Sequence, residues 1–207
     1  MNLSKYLWES NKELALVSLN SKFVQGIKNG DLPKKNFQAY IAQDYFFLES
    51  FARAYGLAIS KSLDINVIRT LSELLFGVSE ELILHETYAN KWEINLSNNK
   101  IEKATQEYTD FLSQTSKNLS CIETLAAMTP CMRLYAWIGS NLSNSTSNNP
   151  YKDWIKTYSD DNFEKLAKSL ENTIDSYQSS IKTTQINDLY KKAMILEGNF
   201  FVAYSNF

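Results

Sequence analysis

Three side chains in this sequence have the chemistry of a catalytic site: one thiol and two carboxylates. Cys131 follows Pro130 within a nearly uncharged helical segment, roughly residues 122–142. Asp44 and Glu197 each interrupt a stripe of aromatic and aliphatic residues that recurs at three- and four-residue spacing. Burying a carboxylate is costly unless the group is paired or neutralised. A thiol beside two such acids can combine nucleophilic attack with general acid–base catalysis without a metal.

Pro130 gives Cys131 a particular predicted position. A proline inside a helix removes one backbone donor and tends to kink or restart the helix. Cys131 would then lie at a new helix start, where unpaired backbone N–H groups stabilise a thiolate. The alternative interpretation of Cys131 is a small apolar core residue, the usual role of a buried cysteine. For Asp44, the alternative is a carboxylate that caps or pairs within the core.

Glu81 and His85 form a second feature with chemical potential. They are four residues apart on a predicted helix and can touch. Such a pair can begin a metal site in a helical bundle. However, His85 is the only histidine in the chain, which favours a structural or hydrogen-bonding role. We therefore predict no metal site.

The elements that must position these residues are helices. Glycine and proline are few, with six and three residues, and strand-like alternation is scarce. We predict an all-α protein with one domain over residues 1–207 and Asp64 as a helix cap. The predicted helices cover roughly 4–28, 33–62, 65–92, 101–116, 122–142, 151–158, 161–181 and 184–205, with polar connections at 93–100 and 141–149.

Composition and charge limit the kinds of binding partner and the cellular compartment that we expect for this protein. The net charge of −2 and the lack of a basic run argue against a nucleic-acid or anionic-membrane surface. Cys121 and Cys131 would be about 15 Å apart on one helix, too far for a disulfide. The N-terminus lacks the apolar core of a signal peptide, and no apolar run is long enough to span a bilayer. We expect a reduced, cytoplasmic protein.

The order and spacing of these residues resemble the TenA family, the thiaminase II type of aminopyrimidine hydrolase. The resemblance covers nearly the whole chain. It rests on four stretches: Gly30-Asp31-Leu32-Pro33 with Phe37 and Tyr40 leading into Gln43-Asp44-Tyr45, Glu81 with His85, Thr129-Pro130-Cys131-Met132-Arg133-Leu134-Tyr135, and Glu197 with Phe200 and Phe201.

This resemblance implies a fold, a reaction and a role for each residue. The family fold is a helical bundle of the haem-oxygenase-like type, usually a homotetramer. Its members hydrolyse 4-amino-5-aminomethyl-2-methylpyrimidine, and more weakly thiamin, to 4-amino-5-hydroxymethyl-2-methylpyrimidine in thiamin salvage, without a cofactor. Cys131 would be the nucleophile, Asp44 would hold the exocyclic amine and a ring nitrogen, and Glu197 would be the general acid/base. The pocket would be lined by Tyr108, Tyr135, Tyr158 and Phe200, with Phe47 where many members have tyrosine.

Two other functions stay open at the level of the sequence. One is an oxidase of the same fold, although such enzymes usually use several histidines and this chain has one. Stoichiometric iron would favour it. The other is a non-catalytic protein that binds an aminopyrimidine or thiamin, or that regulates through a partner. Tight binding without turnover would favour that interpretation.

Overall fold

A computed structural model of the chain describes residues 2–94, 96, 100–145, 147–177 and 183–205. Within these ranges the regular secondary structure is helical and no strand occurs. The all-α prediction is therefore confirmed. The helices are α1 Leu3–Ser10, α2 Lys12–Leu19, α3 Lys22–Asn29, α4 Lys34–Lys61, α5 Ile65–Trp92, α6 Lys103–Asn118, α7 Cys121–Leu142, α8 Lys152–Ser159, α9 Asp161–Ser176 and α10 Thr183–Ala203.

The N-terminal segment is three short helices, so the prediction of one helix over residues 4–28 was wrong. Polar side chains at the breaks compete with the helical backbone. The Asn11 side-chain amide donates to the Leu7 carbonyl at 2.8 Å and to Asn187 Oδ1 at 2.9 Å. The Ser21 hydroxyl caps α3 by accepting from the Val24 amide at 3.2 Å.

The two longest helices, α4 and α5, match the predicted ranges closely and carry two of the acids of interest. The Asp64 side chain caps α5 by accepting from the Asn66 amide at 2.8 Å, which confirms the predicted cap. α4 packs along α5 and α6 and also contacts α7. Predicted residues 93–100 and the end of the predicted helix 161–181 lie partly outside the described residues.

α7 is the central helix and is buried along most of its length. It begins at a capping box, in which Ser120 and Glu123 exchange side-chain and backbone hydrogen bonds. The predicted restart at Pro130 does not occur, because the helix continues through the proline to Leu142. Cys131 therefore lies in a helix interior, without the unpaired backbone donors of a helix start. Burial of α7 against its neighbours outweighs the local cost of the proline.

α7 contacts α8 at unusually close range, and a glycine makes this contact possible. A Cβ atom at Gly139 would lie 2.3 Å from both the carbonyl carbon and the carbonyl oxygen of Tyr158. Only a residue without a side chain fits there. The backbone of α8 is thus held against α7, which sets the depth at which the Tyr158 side chain enters the bundle.

α7 also packs against α9 and α10, which close the other side of the core. None of the helices in the described part of the chain is long and apolar enough to cross a membrane.

Candidate active site

Residues from five helices, α4, α5, α7, α8 and α9, line a small cavity inside the bundle. Its volume is about 20 Å³, which is enough for one water molecule. The predicted site residues Asp44, Phe47, Cys131, Tyr135 and Tyr158 are all in its wall. The complete lining is Asp44, Phe47, Leu48, Phe51, Glu81, Cys131, Met132, Tyr135, Tyr158 and Phe163.

Asp44 is paired with the single histidine of the chain. His85 Nε2 lies 2.8 Å from Asp44 Oδ2, and both side chains are buried. The other ring nitrogen, Nδ1, donates to the Glu81 carbonyl oxygen at 3.0 Å. Burial lowers the pKa of His85, but the hydrogen bond and charge of Asp44 raise it more, so the net shift is upward. This confirms a hydrogen-bonding role for His85 and gives Asp44 a buried hydrogen-bonding partner.

Glu197, on α10, lies next to Cys131 but outside the cavity lining. It is 2% exposed, and its Oε1 accepts a hydrogen bond from the Tyr108 hydroxyl at 2.8 Å. Its carboxyl group also interacts with the Cys131 thiol. Burial raises the pKa of Glu197 to about 8, against the lowering effects of Tyr108 and Cys131. The carboxyl group can therefore exchange a proton near neutral pH.

The Cys131 thiol is not pre-ionised. Burial, together with the negative charges of Glu197, Glu81 and Asp44, raises its pKa well above the ordinary value. The predicted thiolate at a helix start is therefore wrong, because the helix does not restart and the surrounding charges are negative. Cys131 as a residue is half-buried. Its thiol can become nucleophilic by passing its proton to the neighbouring Glu197 carboxylate.

Tyr135 and Tyr158 contribute the tyrosine side chains of the wall. Tyr135 OH lies 3.1 Å from Tyr40 OH, which in turn accepts from Trp154 Nε1 at 3.3 Å. Tyr158 OH donates to Glu81 Oε1 at 2.8 Å. The rings of Tyr135 and Tyr158 meet edge to face at 4.7 Å. These contacts hold the hydroxyl groups at fixed positions around the cavity.

The remaining predicted residues form a layer behind the cavity wall. The Phe47 ring lies 4.7 Å from the Tyr108 ring and 6.3 Å from the Phe200 ring. Tyr108, Glu197 and Phe200 are fully buried and are absent from the cavity lining. These three residues contact the lining residues Phe47 and Cys131 and can affect the cavity through them.

Sequence reasoning missed the place of Glu81 in the cavity wall. It identified this residue only as a neighbour of His85. The spacing did contain a signal, because residues four apart share a helix face and His85 faces Asp44. Met132 and Phe163 were also missed, since apolar positions that line a cavity follow the same periodicity as those that fill a core. Within the described residues, no group of three or more His, Cys, Asp or Glu side chains is arranged to hold a metal.

The fold and the site together define a class: an all-helical bundle with a thiol–carboxylate pair beside a buried aspartate–histidine pair. The solved haem oxygenase of Leptospira interrogans has the same fold, with a TM-score of 0.65, 14% identity and coverage of 98% of this chain and 100% of that one. A TenA family transcription regulator from Silicibacter superposes with a TM-score of 0.92 at 25% identity, covering 99% and 96% of the two chains. The predicted haem-oxygenase-like bundle is confirmed.

The chain belongs to the TENA/THI-4/PQQC family, whose model matches residues 10–205. It is 32% identical to an aminopyrimidine aminohydrolase of Halalkalibacterium halodurans, over 99% of this chain and 96% of that protein. It is 35% identical to the bifunctional TH2 protein of Arabidopsis thaliana over 95% of this chain, and spans 36% of that longer protein. The resemblance to TenA drawn from the sequence is confirmed.

Proposed function

We propose that this protein is a hydrolase of thiamin salvage with Cys131 as its nucleophile. Its substrate is 4-amino-5-aminomethyl-2-methylpyrimidine, its product is the 5-hydroxymethyl compound, and thiamin is a weaker substrate. The main supporting observation is that Cys131 and Asp44 line one cavity, with the buried Glu197 carboxyl group interacting with the thiol. The name of the similar protein from H. halodurans supports the substrate class.

In the proposed reaction, Cys131 and the acids act in sequence. Glu197 takes the thiol proton while the sulfur bonds to an electron-poor carbon of the pyrimidine ring. The electron pair released in the ring is balanced by a proton that the Asp44–His85 pair gives to a ring nitrogen. The C–N bond to the leaving amine then breaks as the amine takes a proton from an acid of the site. Water adds to the exocyclic carbon and returns a proton to that acid. The C–S bond breaks as the ring proton returns to the Asp44–His85 pair and the sulfur regains its proton from Glu197, which restores the ring and the thiol.

The remaining predicted residues bind and orient the ring. Asp44 accepts from the exocyclic amine and contacts the adjacent ring nitrogen. The hydroxyls of Tyr135 and Tyr158 serve as hydrogen-bonding groups around it, and Phe47 is an apolar wall. Tyr108 and Phe200, which pack against Phe47 from outside the lining, come to bind the ring only when the cavity widens. Aromatic walls with a few fixed polar groups are typical of pockets for flat heterocycles.

The test is turnover, measured against a matched cysteine variant. The parent is incubated with the aminomethyl compound or with thiamin, and the hydroxymethyl product is followed by chromatography. Cys131→Ser is expected to lower kcat by more than about a hundredfold, because a serine hydroxyl is a far weaker nucleophile. Cys121→Ser, ten residues earlier on α7 and outside the cavity, is expected to keep parental kcat.

The same experiment separates the alternatives. Tight binding of either compound without turnover by the parent would indicate a binding or regulatory protein. Full activity of Cys131→Ser would reject the nucleophile. An oxidase would show iron and oxygen uptake instead of hydrolysis.

The proposal extends to assembly and location: one domain, a homotetramer, in the cytoplasm. Phe76 and Ile83 lie seven residues apart on α5 and are 67% and 57% exposed, as expected of a face that a second copy covers. Both cysteines are free thiols, as expected in a reducing compartment. Sedimentation analysis gives the mass of the assembly, and a monomer would contradict the tetramer.

A further inference from the structure

A third acid, Glu81, faces the cavity that contains Asp44 and the Cys131 sulfur. Glu197 does not line this cavity. Glu81 also lines an adjoining outer cavity of about 210 Å³, and Met132 and Phe163 are common to both linings. The carboxyl group of Glu81 therefore lies at the junction through which a small molecule would pass between the two spaces.

The contacts of Glu81 leave its carboxyl group available for proton exchange. Oε1 accepts from Tyr158 OH at 2.8 Å, and no ion pair among the described residues involves this side chain. Burial raises its pKa, opposed by the charge of His85 and reinforced by that of Asp44. The Tyr158 hydrogen bond orients one oxygen of the carboxyl group.

We propose that Glu81 is a second catalytic acid/base, which serves the leaving group and the attacking water, while Glu197 serves the Cys131 thiol. This division rests on the proposed function. It follows from position, since Glu197 is absent from the cavity lining whereas Glu81 lines both the inner and the outer cavity.

Glu81 gives one proton during C–N bond cleavage and regains one during the attack of water. As the C–N bond breaks, its electron pair goes to the nitrogen, and the Glu81 carboxylic acid protonates that nitrogen. The resulting Glu81 carboxylate then takes a proton from a water molecule while the water oxygen bonds to the exocyclic carbon. One water is consumed, one amine is released, and Glu81 is again a carboxylic acid.

The two substrates differ in their need for this acid. An amine is a poor leaving group unless it is protonated. The thiazolium of thiamin already carries a positive charge and leaves as a neutral thiazole without a proton. Loss of the Glu81 acid is therefore expected to slow release of the amine much more than release of the thiazole.

The experiment compares kcat for both substrates in Glu81→Gln, Glu197→Gln and the parent. Glutamine keeps the size of Glu81 and can accept from Tyr158. We expect Glu81→Gln to lower kcat for the aminomethyl compound by about a hundredfold or more and to lower it much less for thiamin. Glu197→Gln is expected to lower both to a similar extent, because both reactions need the thiol. Glu86→Gln, exposed on the same helix, is the matched control and should behave as the parent.

Equal losses for the two substrates in Glu81→Gln, or no loss, would overturn the role of Glu81 and leave the proposed function intact. A parent that turns over neither compound would instead reject the proposed function. If Glu81→Gln unfolds below the assay temperature, Glu81→Asp allows the same comparison, because its shorter side chain withdraws the acid from the leaving group. An unchanged ratio of the two kcat values in Glu81→Asp would then reject the role.

Discussion

At the scale of single residues, Cys131 depends on its neighbour for reactivity. Burial and three carboxyl groups keep the sulfur in its thiol form, so in the proposed reaction its proton passes to Glu197. Because the pKa of Glu197 is about 8, a fraction of this group is a carboxylate at neutral pH and can take the proton. A site with a pre-formed thiolate would instead need positive charge or free backbone donors next to the sulfur.

The raised pKa of Glu197 predicts a pH-dependent cost in stability. Its folded-state value of about 8 lies above its ordinary 4.5, so the folded protein holds a proton that the unfolded chain releases between these values. Stability from this group is present below about pH 4.5 and is lost as the pH rises through about 8. Glu197→Gln removes the titration, so its Tm relative to the parent should be several degrees higher at pH 9 than at pH 5.

Thermal unfolding of both proteins at the two pH values measures this difference. Titrations of groups remote from Glu197 affect both proteins alike and cancel in the comparison. A Tm difference that is the same at pH 5 and pH 9 would show that Glu197 does not titrate abnormally in the folded protein.

The types of the reactive residues could be predicted from the sequence, whereas their ionisation could not. An acid inside an aromatic stripe is visible as periodicity, which identified Asp44 and Glu197. The state of the Cys131 thiol depends on carboxyl groups contributed by α4, α5 and α10, which lie far apart in the chain. The sequence around Cys131 does not reveal these charges, because they come close to the sulfur only when the helices pack together.

At the scale of elements, periodicity predicted the long helices correctly. It did not predict the breaks in the N-terminal segment or the continuity of α7 at Pro130. The range of α4 and the Asp64 cap of α5 were predicted because local signals and burial agree there. Pro130 misled the prediction, since packing on all sides keeps α7 continuous through it. At the N-terminus, the side chain of Asn11 bonds to a residue of α10, a contact that no local pattern contains.

The close contact between α7 and α8 predicts that a single methyl group added at Gly139 has a large effect on stability and activity. In Gly139→Ala, the new Cβ would overlap the backbone of α8 at Tyr158 and push that helix outward. The Tyr158 hydroxyl would then lose Glu81. We expect a loss of stability of about 1–3 kcal/mol, typical of overpacking, and a fall in kcat of at least about tenfold.

Gly56→Ala is the matched control, because a Cβ at Gly56 meets no other atom within 4 Å. Alanine is favoured over glycine inside a helix by about 1 kcal/mol, so this variant of α4 should be slightly more stable and fully active. Urea unfolding and kcat measured on both variants test the prediction. Parental stability and activity of Gly139→Ala would contradict the close approach of α8.

At the scale of the whole molecule, the candidate cavity is too small for a pyrimidine ring. Pockets that bind small organic ligands are usually about 300–1,000 Å³, far above the 20 Å³ found here. A pyrimidine ring can enter only if part of the wall moves, and the apolar side chains common to this cavity and the outer one are Met132 and Phe163. A larger groove of about 440 Å³ lies on the surface between α4 and α6, but no cysteine or carboxylate lines it.

The structure of Cys131→Ser in complex with 4-amino-5-aminomethyl-2-methylpyrimidine therefore tests the central claim most directly. We expect the ring between Asp44 and residue 131, with the exocyclic amine on the Asp44 carboxylate and the substituted side towards Glu81. The hydroxyl oxygen at position 131 should lie about 3–3.5 Å from a ring carbon, with Phe163 displaced. A ring bound in the surface groove between α4 and α6, or bound in the cavity with residue 131 out of reach, would contradict it.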